Sequence, residues 1–269
     1  MLSGIESAKL KVKRASVHIE AIQGSAWKYT SGQSDLIAKE PDGTKRLHFS
    51  SQPPPDIAVL CGEVVYQLRS ALDHLAFDLV QLNPSKIKLP KSWRRNCQFP
   101  LLTKVPKKKG SPPVRYTTPL PYNFFEKDLP GITTSAFALI EALQPYYGGN
   151  GPTQLGWLAE LSNIDKHRHL NIINPQAYQR EHVRSPRLDS EALVCLQDGT
   201  ELKAGLHTSS ELADATYVER DIAHPFVSFD ESALPKEVLD VPVDNVLELC
   251  ADTVSTIVIP AFEKLATNP

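Results

Sequence analysis

Apolar residues Ile5, Ala8, Val12, Ala15, Ile19, Ile22 and Ala26 recur three or four positions apart, the spacing that lines up side chains on one face of a helix. Ser3 and Glu6 precede this stripe at the separation of a capping box, so a helix is predicted over about 3–28. "PPPD" at 53–56 holds the chain out of helical conformation until Asp56 can cap. Ile57, Leu60, Val64, Leu68, Ala71, Leu75, Leu79 and Leu82 then form one continuous stripe. The second helix is predicted over 56–83, with Asn83-Pro84 stopping it. Two more helices are expected within 131–170, about 131–146 and 153–170, with "GGNG" at 148–151 as the break. A last one spans about 244–265, where Pro260 should kink or end it.

Elsewhere the pattern turns to strands. Asp42-Gly43 and Asp198-Gly199 each sit between extended runs, the usual hairpin signal, and "TYVERDIAHPFVSFD" at 216–230 adds a further strand. The β part is placed at about 35–50 and 171–230. The expected fold class is α+β, a single domain over 1–269 with a bundle of four to five helices packed beside a small antiparallel β-sheet.

Residues 84–122 break the rhythm. They hold eight prolines and ten Lys or Arg, and no Asp or Glu occurs between Asp78 and Glu126. A long Pro-rich connection of this kind is read as a functional or mobile loop. Its cations from Lys86 to Arg115, with Trp93, Phe99 and Tyr116 among them, suit phosphate contacts and base stacking. The whole chain of 269 residues carries a net charge of -2, so such affinity would be local.

Other features exclude more than they assign. Cys61, Cys97, Cys195 and Cys250 are widely separated and form no CxxC pair, against a thiolate zinc site. No phosphate-binding glycine loop, dinucleotide fingerprint or nucleophile elbow is present, and no cofactor is expected. No apolar run approaches a membrane span, and the N-terminus carries no leader pattern. A cytoplasmic protein without a membrane partner is expected.

Candidate chemistry sits on two helices. In "QLRSALDHLAFDL" (67–79), Arg69, Asp73 and His74 interrupt an apolar helix. A helical wheel puts Arg69 and Asp73 on the side away from the core, with Tyr66 and Phe77, and Glu63 and His74 on one flank. Arg69 and Asp73, four residues apart, read as a helix ion pair. In "LSNIDKHRHL" (161–170), Asp165 and Arg168 fall where the pattern expects apolar side chains. Lys166, His167, Arg168 and His169 crowd the last turn, where cations suit the helix dipole. Asp165 or Asp73 is expected to pair with an arginine and hold the two helices together. Glu63, His74, Glu160, Asn163 and His167 could converge if the helices are antiparallel neighbours, though no spacing nominates a metal.

Arg69 and His74 stand in the R-x4-H spacing and resemble the motif of the HEPN superfamily, helical domains that include many metal-independent ribonucleases. "LRSALDHL" and "SNIDKHR" are also similar to two blocks shared by a family of uncharacterised bacterial proteins. The HEPN resemblance implies RNA as substrate, Arg69 on a phosphate, and His74 as acid or base, with His167 beside it. It also implies a homodimer, which would give the Tyr66/Phe77 face a partner. Asp73, Glu63, Lys166, Arg168, Lys107, Lys108 and Lys109 would bind substrate, and the 86–115 segment would add affinity for RNA. The alternative is a non-catalytic binding or scaffold protein in which both polar clusters are structural networks. A metal- or small-molecule-dependent enzyme comes third.

Overall fold

A computed structural model describes residues 3–32, 37–39, 45–47, 51–82, 88–107, 120–122, 124–146, 151–167, 170, 172–173, 179–183, 194–195, 201–202, 218–222, 227–229 and 241–267. The described residues are mostly helical. Contacts group the chain into two compact units. The first comprises Met1–Tyr29, Pro53–Ile173 and Val227–Pro269, and the second Thr30–Gln52 and Asn174–Phe226.

Two long helices begin the chain, α1 (Gly4–Ser31) and α2 (Pro55–Leu82). The capping box forms: Ser3 Oγ accepts from Glu6 N–H at 3.1 Å, and Glu6 accepts from Ser3 N–H at 2.9 Å. The helices run antiparallel, joined by Ser7–His74, Lys11–Gln67, His18–Glu63 and Ser25–Asp56 contacts. They approach closely at Gly4, where an added Cβ would lie 2.4 Å from the His74 carbonyl oxygen.

Helix α2 is the centre of the first unit. Ile57, Val64, Leu68, Ala71 and Leu75 are buried as expected. Cys61, Val65, Leu72, Ala76 and Val80 are buried too, whereas Leu82 is exposed. The buried face is therefore wider than one stripe. Helices α3 (Trp93–Asn96), α4 (Thr134–Ala142) and α5 (Thr153–His167) follow. The predicted 131–146 helix is shorter because Thr133 caps it, accepting from Ala136 N–H at 3.1 Å. The break before α5 needs glycine at 151, where a Cβ would meet the Gln144 carbonyl.

The terminal helix is long but not uniform. It divides into α6 (Val243–Asp252), a π-helical stretch (Thr253–Val258) and α7 (Ile259–Thr267). Pro260 does not end it, against one half of the expectation, and the helix is distorted into a π-helical stretch just before that residue. Proline cannot donate to the preceding turn, and its ring crowds the carbonyl four residues back. The wider turn, closed by Ile259 N–H on the Val254 carbonyl, takes up that crowding. Thr253 and Thr256 hydroxyls bond back to Leu249 and Asp252 carbonyls at 2.8 and 2.7 Å. Against the expectation that no apolar run approaches a membrane span, Val243–Thr267 is long and apolar enough to cross one by length and composition alone. Its buried residues, among them Val246, Leu247, Cys250 and Phe262, pack in the core shared with α1, α2 and α5.

The strands pair only two by two, antiparallel, with no larger sheet among the described residues. In the first unit β3 (Ile172–Ile173) pairs β8 (Ser228–Phe229). In the second unit β1 (Ile37–Lys39) pairs β2 (Lys45–Leu47), β4 (Gln179–Val183) pairs β7 (Val218–Ile222), and β5 (Val194–Cys195) pairs β6 (Glu201–Leu202).

Candidate functional site

The Pro-rich segment is partly structural rather than a free loop. Within 88–107, Phe99 and Pro100 are buried, and Leu89, Trp93, Cys97, Leu101 and Leu102 pack against the core. An extended stretch laid on a helix has no neighbouring strand to satisfy its peptide groups, so side chains must do so. Asp73 Oδ1 accepts from Phe99 N–H at 2.8 Å, and Arg69 Nη2 donates to the Phe99 carbonyl. The same Nη2 lies 3.2 Å from Asp73 Oδ1. Beside this clasp, buried Gln144 accepts from Leu102 N–H at 2.9 Å and donates to the Pro100 carbonyl at 2.9 Å. Three side chains thus hold the peptide groups of residues 99–102.

This clasp corrects the reading of the Arg69/Asp73 side of α2. The 93–102 stretch covers it, leaving the Arg69 side chain only 14% exposed. Phe77 stacks on Trp93 with ring centroids 5.0 Å apart, so Tyr66 and Phe77 do not form one open face. Tyr66 remains exposed, with the Lys11 ammonium 5.5 Å from its ring centroid. The expected interhelical role also changes: Asp73 pairs with an arginine of its own helix and holds the 97–102 stretch. Asp165 is exposed, not buried, and its carboxylate stands where a Cβ on Gly62 would be, 2.6 Å away.

Arg69 and His74 open onto different cavities. Arg69 lines a small, polar one of about 210 Å³ with Gln98, Asp128, Ser162, Asn163 and Lys166. Burial pushes the guanidinium's pKa down, while Asp73 and then Asp128 act to hold its charge. Asp128 is pushed up by burial, against the pull of Lys127, the Gln98 hydrogen bond and Arg69. Cys97 is pushed up to about 12 by burial first and then by Asp73 and Asp128.

His74 lines a cavity of about 770 Å³ with Ser3, Glu6, Ser7, Asp78 and Cys97. Its Nδ1 lies 2.6 Å from Ser7 Oγ, an inter-helix hydrogen bond. Asp78 accepts from Gly4 N–H beside it. Glu63 belongs to a third cavity, with Arg14, Tyr66 and Asp165, and pairs with His18 at 3.2 Å. The convergence of Glu63 with His74 therefore does not occur. Among the described residues no three His, Cys, Asp or Glu side chains gather to share a metal ion.

Of the basic segment, Lys88, Lys91, Arg94, Arg95, Lys104 and Lys107 are exposed. Trp93 is engaged by Phe77 on one side and by the Arg94 guanidinium, 5.2 Å from its ring centroid. Phe99 lies in the core beside Phe262, so neither aromatic offers the base-stacking platform expected. Lys86, Lys108, Lys109, Arg115, Tyr116, Arg168 and His169 lie outside the described residues, as does the side chain of His167.

Sequence reasoning missed Gln144, Asp128 and Ser162. Gln144 had a readable signal, a neutral polar residue on the apolar side of "FALIEALQ". Asp128 and Ser162 had none, since their meeting with Arg69 depends on tertiary packing. No protein-family model, curated protein or solved structure matches the chain.

Proposed function

We propose that the protein binds single-stranded RNA through its phosphates without cleaving it. One observation carries the reading: among the described residues, Arg69 and His74 line different cavities. Cleavage by a metal-independent ribonuclease needs its phosphate-gripping and proton-moving groups on one substrate phosphate. Here Arg69 is turned onto Phe99 and Asp73, and His74 is engaged with Ser7 across α1 and α2. Binding falls instead to the exposed cations of residues 88–107, a stretch that itself contains no Asp or Glu. With Trp93 and Phe99 occupied, affinity comes from phosphate contacts and tolerates changes of base. A cytoplasmic protein goes with this reading. So does an α+β fold of helices and antiparallel strand pairs.

The test is anisotropy of a labelled single-stranded RNA at rising salt. If four cations contact phosphates, the log–log slope is about -3, and affinity falls on the order of 50-fold between about 50 and 200 mM salt. Lys91→Glu with Arg95→Glu should flatten that slope, with the RNA left intact. Salt-independent binding, or none, removes the proposal. Cleavage in the presence of chelator that disappears in His74→Ala would establish the ribonuclease reading instead.

A further inference from the structure

We infer that the cavity between α2, the 98–102 stretch and α5 is a binding site for one phosphate-sized oxyanion, either a terminal phosphomonoester of RNA or free inorganic phosphate. Its size sets the class of ligand. At about 210 Å³ it falls below the roughly 300–1,000 Å³ of pockets that take drug-sized molecules. A phosphoryl group fits a space of that size.

The lining then sets the charge. Arg69 projects from α2 and Lys166 from α5, so two cations from separate helices border one small space. Asp128 is the one acidic residue of that lining against these two cations, and Asp73, just outside it, is paired with Arg69. Ser162 and Asn163 add a hydroxyl and an amide from the same stretch of α5 as Lys166, and Gln98 adds a second amide. Planar guanidinium, point-charge ammonium and neutral donors together form a tetrahedral oxyanion's usual complement.

The site is also built before any ligand arrives. Arg69 is held by the Phe99 carbonyl and by Asp73, and Gln144 fixes the wall at Pro100 and Leu102. A ligand entering there meets donors already ordered, which lowers the entropy cost of binding. Lys166 is exposed as a residue and supplies the side of the site open to solvent.

The inference deepens the RNA-binding reading by naming a chain end as one source of the phosphate, and its test is separable from that reading. Titration calorimetry of the full chain with inorganic phosphate should detect saturable binding that sulfate competes away. Lys166→Ala should weaken it at least tenfold with an unchanged melting temperature. Asp128→Asn should tighten it several-fold by removing the one anion of the lining, which a purely structural cluster would not do. A 5′-phosphorylated RNA that outcompetes both inorganic phosphate and its 5′-hydroxyl counterpart identifies the RNA end as the source. Equal binding of the two RNAs, with phosphate still bound, identifies the free ion. Absence of phosphate binding at millimolar concentration, or binding indifferent to Lys166→Ala and Asp128→Asn, overturns the site. Salt-dependent binding of 5′-hydroxyl RNA would survive that failure.

Discussion

The clasp on Phe99 makes a measurable demand on Asp73. Asp73→Ala removes the acceptor of the Phe99 N–H and the carboxylate beside a guanidinium that is 14% exposed. A hydrogen bond to a charged group contributes about 1.5–3 kcal/mol. The unpaired Arg69 adds to the cost, because burial already disfavours its charged form. Partial exposure of Asp73, 34% of its side chain, lets water replace some of the loss. A destabilisation of about 2–3 kcal/mol follows, or roughly 4–12 °C in melting temperature at about 2–4 °C per kcal/mol. Asp73→Asn keeps an acceptor for Phe99 and loses only charge, so it should cost about 1 kcal/mol. Arg69→Ala and Asp73→Ala break one cluster, and the double variant should fall short of their sum by about 1 kcal/mol. Urea unfolding with a constant m-value is the assay. A melting temperature within about 1 °C of wild type for Asp73→Ala, or simple additivity in the cycle, would refute the clasp.

Thiol chemistry gives an independent check. With Cys195→Ser removing the one cysteine whose side chain lies outside the described residues, Cys97 and Cys250, each pushed up to about 12 by burial first of all, should resist a disulfide reagent at pH about 8. Their thiolate fraction there is about 10⁻⁴, against about a quarter for an ordinary thiol, so one thiol reacting at the ordinary rate contradicts the packing. The α1–α2 contact predicts unequal glycine variants. Gly4→Ala drives a Cβ into the His74 backbone carbonyl and should cost about 1–3 kcal/mol, whereas Gly62→Ala meets only the movable Asp165 carboxylate and should cost less than about 1 kcal/mol. Equal costs in thermal melts would argue against that geometry. Asp128, raised by burial, binds its proton more tightly folded than unfolded, so its contribution weakens as pH rises from the ordinary aspartate value through the raised one. Wild type should therefore lose stability relative to Asp128→Asn across that window, and urea midpoints that diverge in the opposite sense would exclude the burial.

What could be read in advance follows from how local each signal is. The period of Ala8, Val12, Ala15, Ile19 and Ile22 identified the buried face of α1, and all five are buried. The wheel likewise separated Arg69 from His74, by about 140°, and they border different cavities. The 84–122 segment misled because its prolines and cations dominate its composition. The residues that dock it, Leu89, Trp93, Phe99, Leu101 and Leu102, follow no period. Their partners are remote as well: Phe99 bonds to residues 26 and 30 positions earlier, and Leu102 to one 42 positions later. Lys166 could be singled out as a cation at a helix end, yet its cavity with Arg69 and Asp128 exists only once α2, α5 and that segment are packed.

The choice of an ion pair for the back of α2 has its own physical reason. Partly buried Arg–Asp pairs can often be replaced by apolar residues of similar volume at no loss, because desolvation offsets their attraction. Arg69→Met with Asp73→Leu is that replacement, and a pair that served only itself would leave stability unchanged or improved. Here the pair also satisfies both peptide groups of Phe99, whose side chain is fully buried. The apolar double variant would leave a donor and an acceptor without partners in a covered segment, at about 1–3 kcal/mol each. Water reaching the partly exposed Asp73 position offsets part of this, so a net loss of about 2 kcal/mol is expected. The m-value should stay constant, and Cys97 should become more reactive as the 97–102 stretch loosens. A double variant as stable as wild type, with Cys97 still protected, would mean that apolar packing alone holds the segment and that the charges on α2 serve something else.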